Sequence, residues 1–276
     1  MLKNKIYILI LLVTVGVSSC SEYQKVLNKG KVEEQYTMAS ELYEDQKYTK
    51  AIQLFEKITP SYRGKPQMER IQFMVAQSHY NTKQYTLAAY YFDKFVKNYP
   101  KSSKLEESAY LSAHSHFLAS PVYSLDQKDT KEAITALQNF IYKYPESDKA
   151  EEANKNIKEL TFKLEKKSFE IAKNYYHREY YIAAIVAFDN LLGEYLGTSF
   201  KEEAMYLKFK SAYELGINSF ILKKETRLND AKKAAERLKR SFPKSEYLEE
   251  TEKLVIKLEE ELNSLLAFKT TETDGL

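Results

Sequence analysis

A pattern of small, aromatic and proline residues recurs along this chain with a period of about 34 residues. The clearest copy spans residues 69–102, and its marker residues are Ala76, Tyr85, Ala88, Phe92, Phe95 and Pro100. Small residues let two helices cross closely, aromatic residues fill the wider gaps beside the crossing, and a proline ends the second helix. The pattern therefore predicts a series of helix pairs.

Four further copies follow the same order. Residues 32–65 and 165–198 keep the spacing, with markers at Ala39, Leu42, Tyr48, Ala51, Phe55 and Ile58 in the first and Ala172, Tyr175, Tyr181, Ala184, Phe188 and Leu191 in the second. The third and fifth copies carry extra residues between their two helices. In the third, the first helix is predicted at about 105–119 and Ala133 marks the second; in the fifth, these are about 202–215 and Ala231. This register is that of tetratricopeptide repeats.

We therefore predict an all-α fold, a right-handed tetratricopeptide-repeat solenoid of about five helix pairs with one continuous core. Leu248, Val255, Leu258, Leu262 and Leu265 form one apolar stripe, which predicts a C-terminal capping helix over residues 245–268. The 7 glycines and 6 prolines are too few for the many turns of a β-rich fold. Residues 269–276 are expected to be a flexible tail.

The N-terminus has the features of a bacterial lipoprotein signal. Lys3 and Lys5 precede an apolar run over residues 6–17, which is too short to span a bilayer and suits a signal peptide. Small residues lead to Cys20, the only cysteine, in a segment that resembles a lipobox. We predict that residues 1–19 are removed, that Cys20 is lipidated, and that residues 20–31 form a linker; the alternative is an ordinary secretory signal with a chance cysteine.

The two stretched repeats supply candidate partner-binding segments, because insertions in helical repeats often lie at a binding surface. In residues 120–130 the candidates are Ser120, Pro121, Tyr123 and Asp126. In residues 216–229 an apolar cluster with Phe220 lies beside Lys223 and Arg227, an arrangement that suits a protein contact. The alternative is that each segment folds back on its own repeat.

No catalytic, metal or cofactor site is predicted. His114 and His116 lie two residues apart on a predicted helix and project in different directions, so they cannot share a metal. Glycine-rich phosphate-binding motifs are missing from the sequence. The 42 basic and 39 acidic residues leave a net charge of +3, which gives no field that favours nucleic acid. We expect a non-enzymatic protein without a cofactor.

Taken together, the lipobox, the five repeats and the stretched third repeat resemble the BamD family of outer-membrane assembly lipoproteins, particularly its Bacteroidetes-type members. The resemblance rests on the segment from Ser120 to Gln127, on the following residues through Ser147, and on two repeat endings, Tyr99-Pro100-Lys101-Ser102 and Phe242-Pro243-Lys244-Ser245.

This resemblance implies a scaffold subunit of the β-barrel assembly machinery on the periplasmic face of the outer membrane. Its implied partners are the barrel-forming subunit, other assembly lipoproteins and unfolded outer-membrane proteins. Repeats 1–3 (residues 32–147) would form a substrate groove, with Tyr36, Tyr43 and Tyr80 as candidate contacts that are equally compatible with burial between helices. Repeats 4–5 and the capping helix (148–268) would bind the barrel-forming subunit. The alternative is an adaptor of another envelope secretion, motility or polysaccharide complex.

Overall fold

The computed structural model describes residues 22–274 of the chain, with side chains through Phe268. This part of the chain forms twelve α-helices and a 3₁₀ turn, and it contains no strand. The helices are α1 (22–29), α2 (Val32–Glu44), α3 (Tyr48–Ile58), α4 (Gln67–Asn81), α5 (Tyr85–Asn98), α6 (Leu105–Ala119), α7 (Lys128–Lys143), α8 (Ala150–His177), α9 (Tyr181–Glu194), α10 (Lys201–Ile217), α11 (Ile221–Ser241) and α12 (Leu248–Asp274).

The predicted helix pairs are confirmed. The pairs are α2/α3, α4/α5, α6/α7, the second half of α8 with α9, and α10/α11, and α12 packs against α10 and α11. Eight predicted crossing residues are completely buried, namely Ala39, Ala51, Ala76, Ala88, Ala133, Ala172, Ala184 and Ala231. Tyr175, expected to fill a gap between helices, is instead 37% exposed.

The turns inside the three unstretched repeats share one backbone geometry. Gln46, Lys83 and Glu179 occupy the same repeat position, and each has a φ of about 60° (60, 61 and 62°). In each turn the residue's N–H donates to the carbonyl three residues earlier, and the next N–H donates to the carbonyl five residues before it. These left-handed residues are not glycine, so the sequence carries no direct signal for them.

The turns between repeats share a second geometry. Four second helices end in an aromatic residue whose carbonyl accepts the N–H of a Ser or Thr three residues later: Tyr99 with Ser102, Tyr144 with Ser147, Tyr195 with Thr198, and Phe242 with Ser245. The hydroxyl of that Ser or Thr accepts the N–H two residues further on. Leu196 stands where the other three turns have a proline, so the sequence pattern did not mark the ending of this repeat.

One of the two predicted insertions differs from its prediction. Residues 216–229 were predicted as an insertion, but α10 runs through Ile217 and α11 begins at Ile221, which leaves a turn of residues 218–220. The extra residues extend α11 because its buried Leu228 packs against α10 at Gly216. Residues 120–127 stay non-helical, as Ser120-Pro121 predicted.

The chain beside the repeats is also more helical than expected. Residues 22–29, predicted as part of a linker, form α1, where the buried Tyr23 donates a 2.6 Å hydrogen bond to Gln53 Oε1. Gln35 Nε2 donates to the carbonyl oxygens of Val26 and Leu27, at 3.0 and 3.1 Å, and so holds the end of α1 against α2. At the other end α12 continues to Asp274, beyond residue 268.

The chain divides into two compact units. The first contains residues 22–121 and 127–160, and the second contains residues 122–126 and 161–274. The first buries three apolar clusters, which share Tyr91 and Leu111 at their borders. The second buries one cluster built around Phe188 and Phe209. The described residues thus bury several clusters, three in the first unit and one in the second, where the repeat pattern predicted one continuous core.

Candidate partner-binding surfaces

In the first unit, two candidate groove tyrosines connect the first helices of successive repeats. Tyr43 on α2 donates its hydroxyl hydrogen to Gln77 Oε1 on α4, and Tyr80 Oη on α4 lies 2.7 Å from His114 Nδ1 on α6. Both pairs are separated by 34 residues, which is one repeat. The hydroxyl groups of these tyrosines therefore hold neighbouring repeats in register.

All three groove candidates are partly buried. The ring of Tyr36 lies 5.4 Å from the ring of Tyr62 and packs against the first apolar cluster. Burial, with smaller contributions from nearby Tyr48 and Glu44, raises the pKa of Tyr43 to about 12. Burial also raises the pKa of Tyr80 above its ordinary value of 10.0. The phenols of Tyr43 and Tyr80 are therefore neutral at physiological pH.

A cleft of about 530 Å³ lies between α5, α6 and α7, and no motif in the sequence indicated it. Asp93 accepts a 2.7 Å hydrogen bond from Ser112 Oγ, and its second oxygen lies 3.8 Å from His116 Nε2. Burial acts to raise the pKa of Asp93, but hydrogen bonds from His116 and Ser112 outweigh it and the pKa is lowered. Lys128, Lys131 and Lys143 line the same cleft.

The paired histidines lie in different surroundings, as their spacing predicted. His114 stacks against Tyr110 and Phe117, with ring centroids 5.5 and 5.6 Å away, whereas His116 approaches Asp93. Burial lowers the pKa of His114, so its imidazole is neutral at pH 7. Among residues 22–268, no cluster of three or more His, Cys, Asp or Glu residues could hold a metal ion.

The predicted binding segment after α6 is anchored at several points. Ser120 Oγ lies 2.7 Å from Thr130 Oγ1, and Thr130 donates to Gln127 Oε1 at 2.8 Å. Pro121 follows Ser120, the first residue of the non-helical stretch.

Beyond Pro121, the segment lies along α8. In the second unit, Lys166 Nζ sits 4.6 Å from the ring centroid of Tyr123, and Lys167 donates to the carbonyl of Leu125, the residue before Asp126. Val122 and Leu125 nevertheless keep more than half of their side-chain surface exposed. The segment is therefore held in place while it still presents apolar surface.

The second predicted binding segment forms the corner between α10 and α11. Phe220 is 90% exposed and Leu222 is 93% exposed. Arg227 Nη1 donates a 2.7 Å hydrogen bond to Ser219 Oγ, which holds the guanidinium beside the turn. Lys223 lies on the first turn of α11 next to these apolar side chains.

Two clefts of the second unit were not predicted. A cationic cleft of about 460 Å³ between α9, α10 and α11 contains Lys201, Arg237 and Arg240, together with an ion pair between Lys208 and Asp189. An apolar cleft of about 790 Å³ is lined by residues of α8, α9 and α10, with exposed side chains at Ile171, Tyr175, Tyr180, Ile182 and Val186. Only the folded chain brings these residues together, because neither set forms a motif in sequence.

The paired helices define a class of protein, the helical-repeat proteins. None of the helices within residues 22–274 is long and apolar enough to cross a bilayer. The predicted lipidation site, Cys20, lies outside the described residues.

Comparison with known proteins gives the family. A family model described as "YfiO: Outer membrane lipoprotein" matches residues 28–228, nearly three quarters of the chain. The chain belongs to this family of outer membrane lipoproteins. No curated protein matches it significantly.

Solved structures add a weak likeness in fold. Two crystal structures of a Podosopora anserina putative kinesin light chain with nearly identical TPR-like repeats are each 12% identical to this chain, with TM-scores of 0.32 and 0.31. They cover 76% and 83% of this chain and 96% and 94% of their own. Scores this low lie below the range of a shared overall fold, so the assignment of repeats rests on the helix pairing and the 34-residue register.

Proposed function

We propose that this protein is an outer-membrane-anchored, periplasmic scaffold subunit of the β-barrel assembly machinery. It would help to fold and insert outer-membrane β-barrel proteins by binding the barrel-forming subunit and unfolded substrates. The observation that carries the proposal is the family match over residues 28–228, which covers the first four repeats and reaches into α11. The lipobox at Cys20 supports the anchor.

The second unit is the proposed docking half for the barrel-forming subunit. Its cationic cleft presents Lys201, Arg237 and Arg240 around an apolar floor that includes Leu192 and Met205. Such a cleft complements a protein surface with carboxylates around an aliphatic side chain, because charges fix the orientation and apolar contact supplies affinity.

The first unit is the proposed receptor for unfolded substrates. Unfolded barrel strands alternate apolar and polar residues, and rings such as Tyr36, Tyr43 and Tyr80 offer apolar faces to such segments. Because the hydroxyls of Tyr43 and Tyr80 already bond to neighbouring helices, substrate contact would use the exposed parts of their rings. We propose that the first unit binds these substrates, and we propose no chemical reaction there.

Depletion of the protein in its own host tests the proposal. We expect the levels of outer-membrane β-barrel proteins to fall while inner-membrane proteins stay constant. Unchanged barrel levels after complete depletion would contradict an assembly role.

Affinity purification of a C-terminally tagged protein from gently solubilised envelopes tests the docking half. The wild type should recover a large barrel protein with periplasmic domains, and a double variant Arg237→Glu, Arg240→Glu should lose it. The matched control is Lys94→Glu, Lys101→Glu, which reverses two exposed charges in the first unit. Recovery of a different envelope complex, without the barrel protein, would transfer the function to an adaptor of that complex.

A further inference from the structure

One end of the second unit combines exposed apolar side chains with cations. The α8–α9 turn and the α10–α11 turn lie at this end, because Leu215 near the end of α10 lines the same cleft as Tyr180 and Ile182 at the start of α9. We call the exposed residues Tyr180, Ile182, Phe220, Ile221 and Leu222, with Arg178, Lys223 and Arg227, the corner surface.

The apolar part of the corner surface projects outward. Phe220 and Leu222 expose nine tenths or more of their surface, and Ile182 and Tyr180 expose 59% and 52%. Phe220 is the N-cap residue of α11 and Leu222 belongs to its first turn, so both side chains extend from the end of a helix pair. Neither of them lines any of the clefts described above. Apolar side chains that protrude in this way are suited to insert between lipid headgroups and acyl chains.

Cations accompany these apolar side chains. The guanidinium of Arg178 lies 5.0 Å from the ring centroid of Tyr180, and Ser219 holds Arg227. Lys223 is an exposed residue in the first turn of α11, whereas the neighbouring Lys224 is bound to Glu261 on α12. Carboxylates are also present at Glu179, Glu214 and Glu225. With Lys224 paired to Glu261, residues 219–229 leave two cations, Lys223 and Arg227, against one carboxylate. Lys and Arg beside aromatic and aliphatic side chains are typical of segments that lie in a bilayer interface.

We propose that the corner surface is a lipid-contact site. Phe220 and Leu222 enter the boundary between headgroups and acyl chains of an anionic bilayer, and Lys223 and Arg227 meet lipid phosphates. Membership of a family of outer membrane lipoproteins places such a surface within reach of a bilayer. The contact would orient the second unit relative to the membrane, a role that a lipid on Cys20 cannot fill because it holds only the chain's N-terminus.

The chain contains no tryptophan, so one introduced tryptophan is an unambiguous reporter. We would reconstitute the lipidated Phe220→Trp variant in vesicles of phosphatidylethanolamine and phosphatidylglycerol, with and without brominated acyl chains. The expected result is a blue-shifted emission that brominated lipid quenches. The matched control is Leu196→Trp, a 77% exposed side chain at the α9–α10 turn, the opposite end of the same helices. The control should keep the emission of a solvated tryptophan.

Charge reversal tests the second half of the proposal. Adding Lys223→Glu and Arg227→Glu to Phe220→Trp should at least halve the quenching, because each basic residue near an anionic surface changes partitioning about fivefold. An unshifted Phe220→Trp emission, or equal shifts at positions 220 and 196, would overturn the lipid contact. A shift that requires added envelope proteins and not lipid would make the corner a protein interface and would also overturn it. The outcome is independent of barrel levels, so it can fail while the assembly role stands.

Discussion

Tyr43 and Tyr80 show how single residues keep the repeats in register. Each projects from the first helix of a repeat, and its hydroxyl bonds to a side chain 34 residues later. The sequence identified both tyrosines as candidates and left burial and groove contact open. The acceptors Gln77 and His114 belong to no recognisable motif, so only the packing of α2, α4 and α6 reveals these bonds.

The phenol of Tyr43 should lose its proton only at high pH. Its pKa is raised to about 12, mainly by burial, so the folded state favours the neutral phenol. Its contribution to stability is therefore fully present below the ordinary pKa of 10.0 and is lost as pH rises through about 12. The tyrosine phenolate absorbs at about 295 nm. The difference in this absorbance between the wild type and Tyr43→Phe, plotted against pH, should give a titration curve centred near pH 12.

Tyr142→Phe is the control for the removal of one phenol, because Tyr142 is 90% exposed. Both variants should have the helical circular dichroism of the wild type at pH 7. A Tyr43 difference curve centred at pH 10 would show that the ring is solvated and that the bond to Gln77 does not form.

At the scale of elements, the close contact between α10 and α11 explains why the predicted insertion is helical. Gly216 is buried in α10, and a Cβ at this position would lie 2.8 Å from Leu228 Cδ2 and 3.3 Å from Leu228 N. Leu228 is completely buried and cannot move aside easily. The sequence suggested an insertion here because the fifth copy carries extra residues between its two predicted helices, but tertiary packing makes most of those residues helical.

Two glycine-to-alanine changes separate packing from helix propensity. Gly216→Ala should lower the free energy of unfolding by about 1 kcal/mol, because crowding against Leu228 outweighs the helical preference of alanine. Gly193→Ala, in α9 with no atom within 4 Å of the new Cβ, should raise it by about 0.5 kcal/mol. Urea unfolding measures both values, and equal effects of the same sign would contradict the close packing of α10 on α11.

The repeat turns show how far the sequence reaches at this scale. The ends Tyr99-Pro100, Tyr144-Pro145 and Phe242-Pro243 are visible as aromatic-proline pairs, and the structure gives them one geometry. Tyr195-Leu196 adopts the same geometry without proline because Thr198 supplies the same hydroxyl acceptor. The repeat is thus encoded by backbone and hydroxyl hydrogen bonds as well as by proline.

At the scale of the whole molecule, the N-terminus and the repeats have separate tasks. The family match indicates an outer membrane lipoprotein, and the described helices offer no membrane-spanning segment. The proposed attachment point is Cys20, which ends the segment that resembles a lipobox. A chain anchored at one end keeps its binding surfaces near membrane partners without adding contacts to them.

Cys20→Ala should abolish that anchor. The variant should carry no fatty-acid label and should leave the outer-membrane fraction, while its helical circular dichroism stays unchanged because residue 20 precedes the first described helix. Fatty-acid labelling and membrane fractionation measure these effects, and Ser21→Ala is the control beside it. A Cys20→Ala protein that is still labelled and still fractionates with the outer membrane would refute the lipobox assignment.

The sequence by itself determined the number of helix pairs, their crossing alanines and their apolar interiors, because these depend on local periodicity and side-chain size. It also led to the family of outer membrane lipoproteins. Only the tertiary structure decided that residues 221–229 are helical, that Gln46, Lys83 and Glu179 take left-handed conformations, and that distant cations form a cleft between α9, α10 and α11. These features depend on contacts between residues far apart in the chain, where packing outweighs local preference.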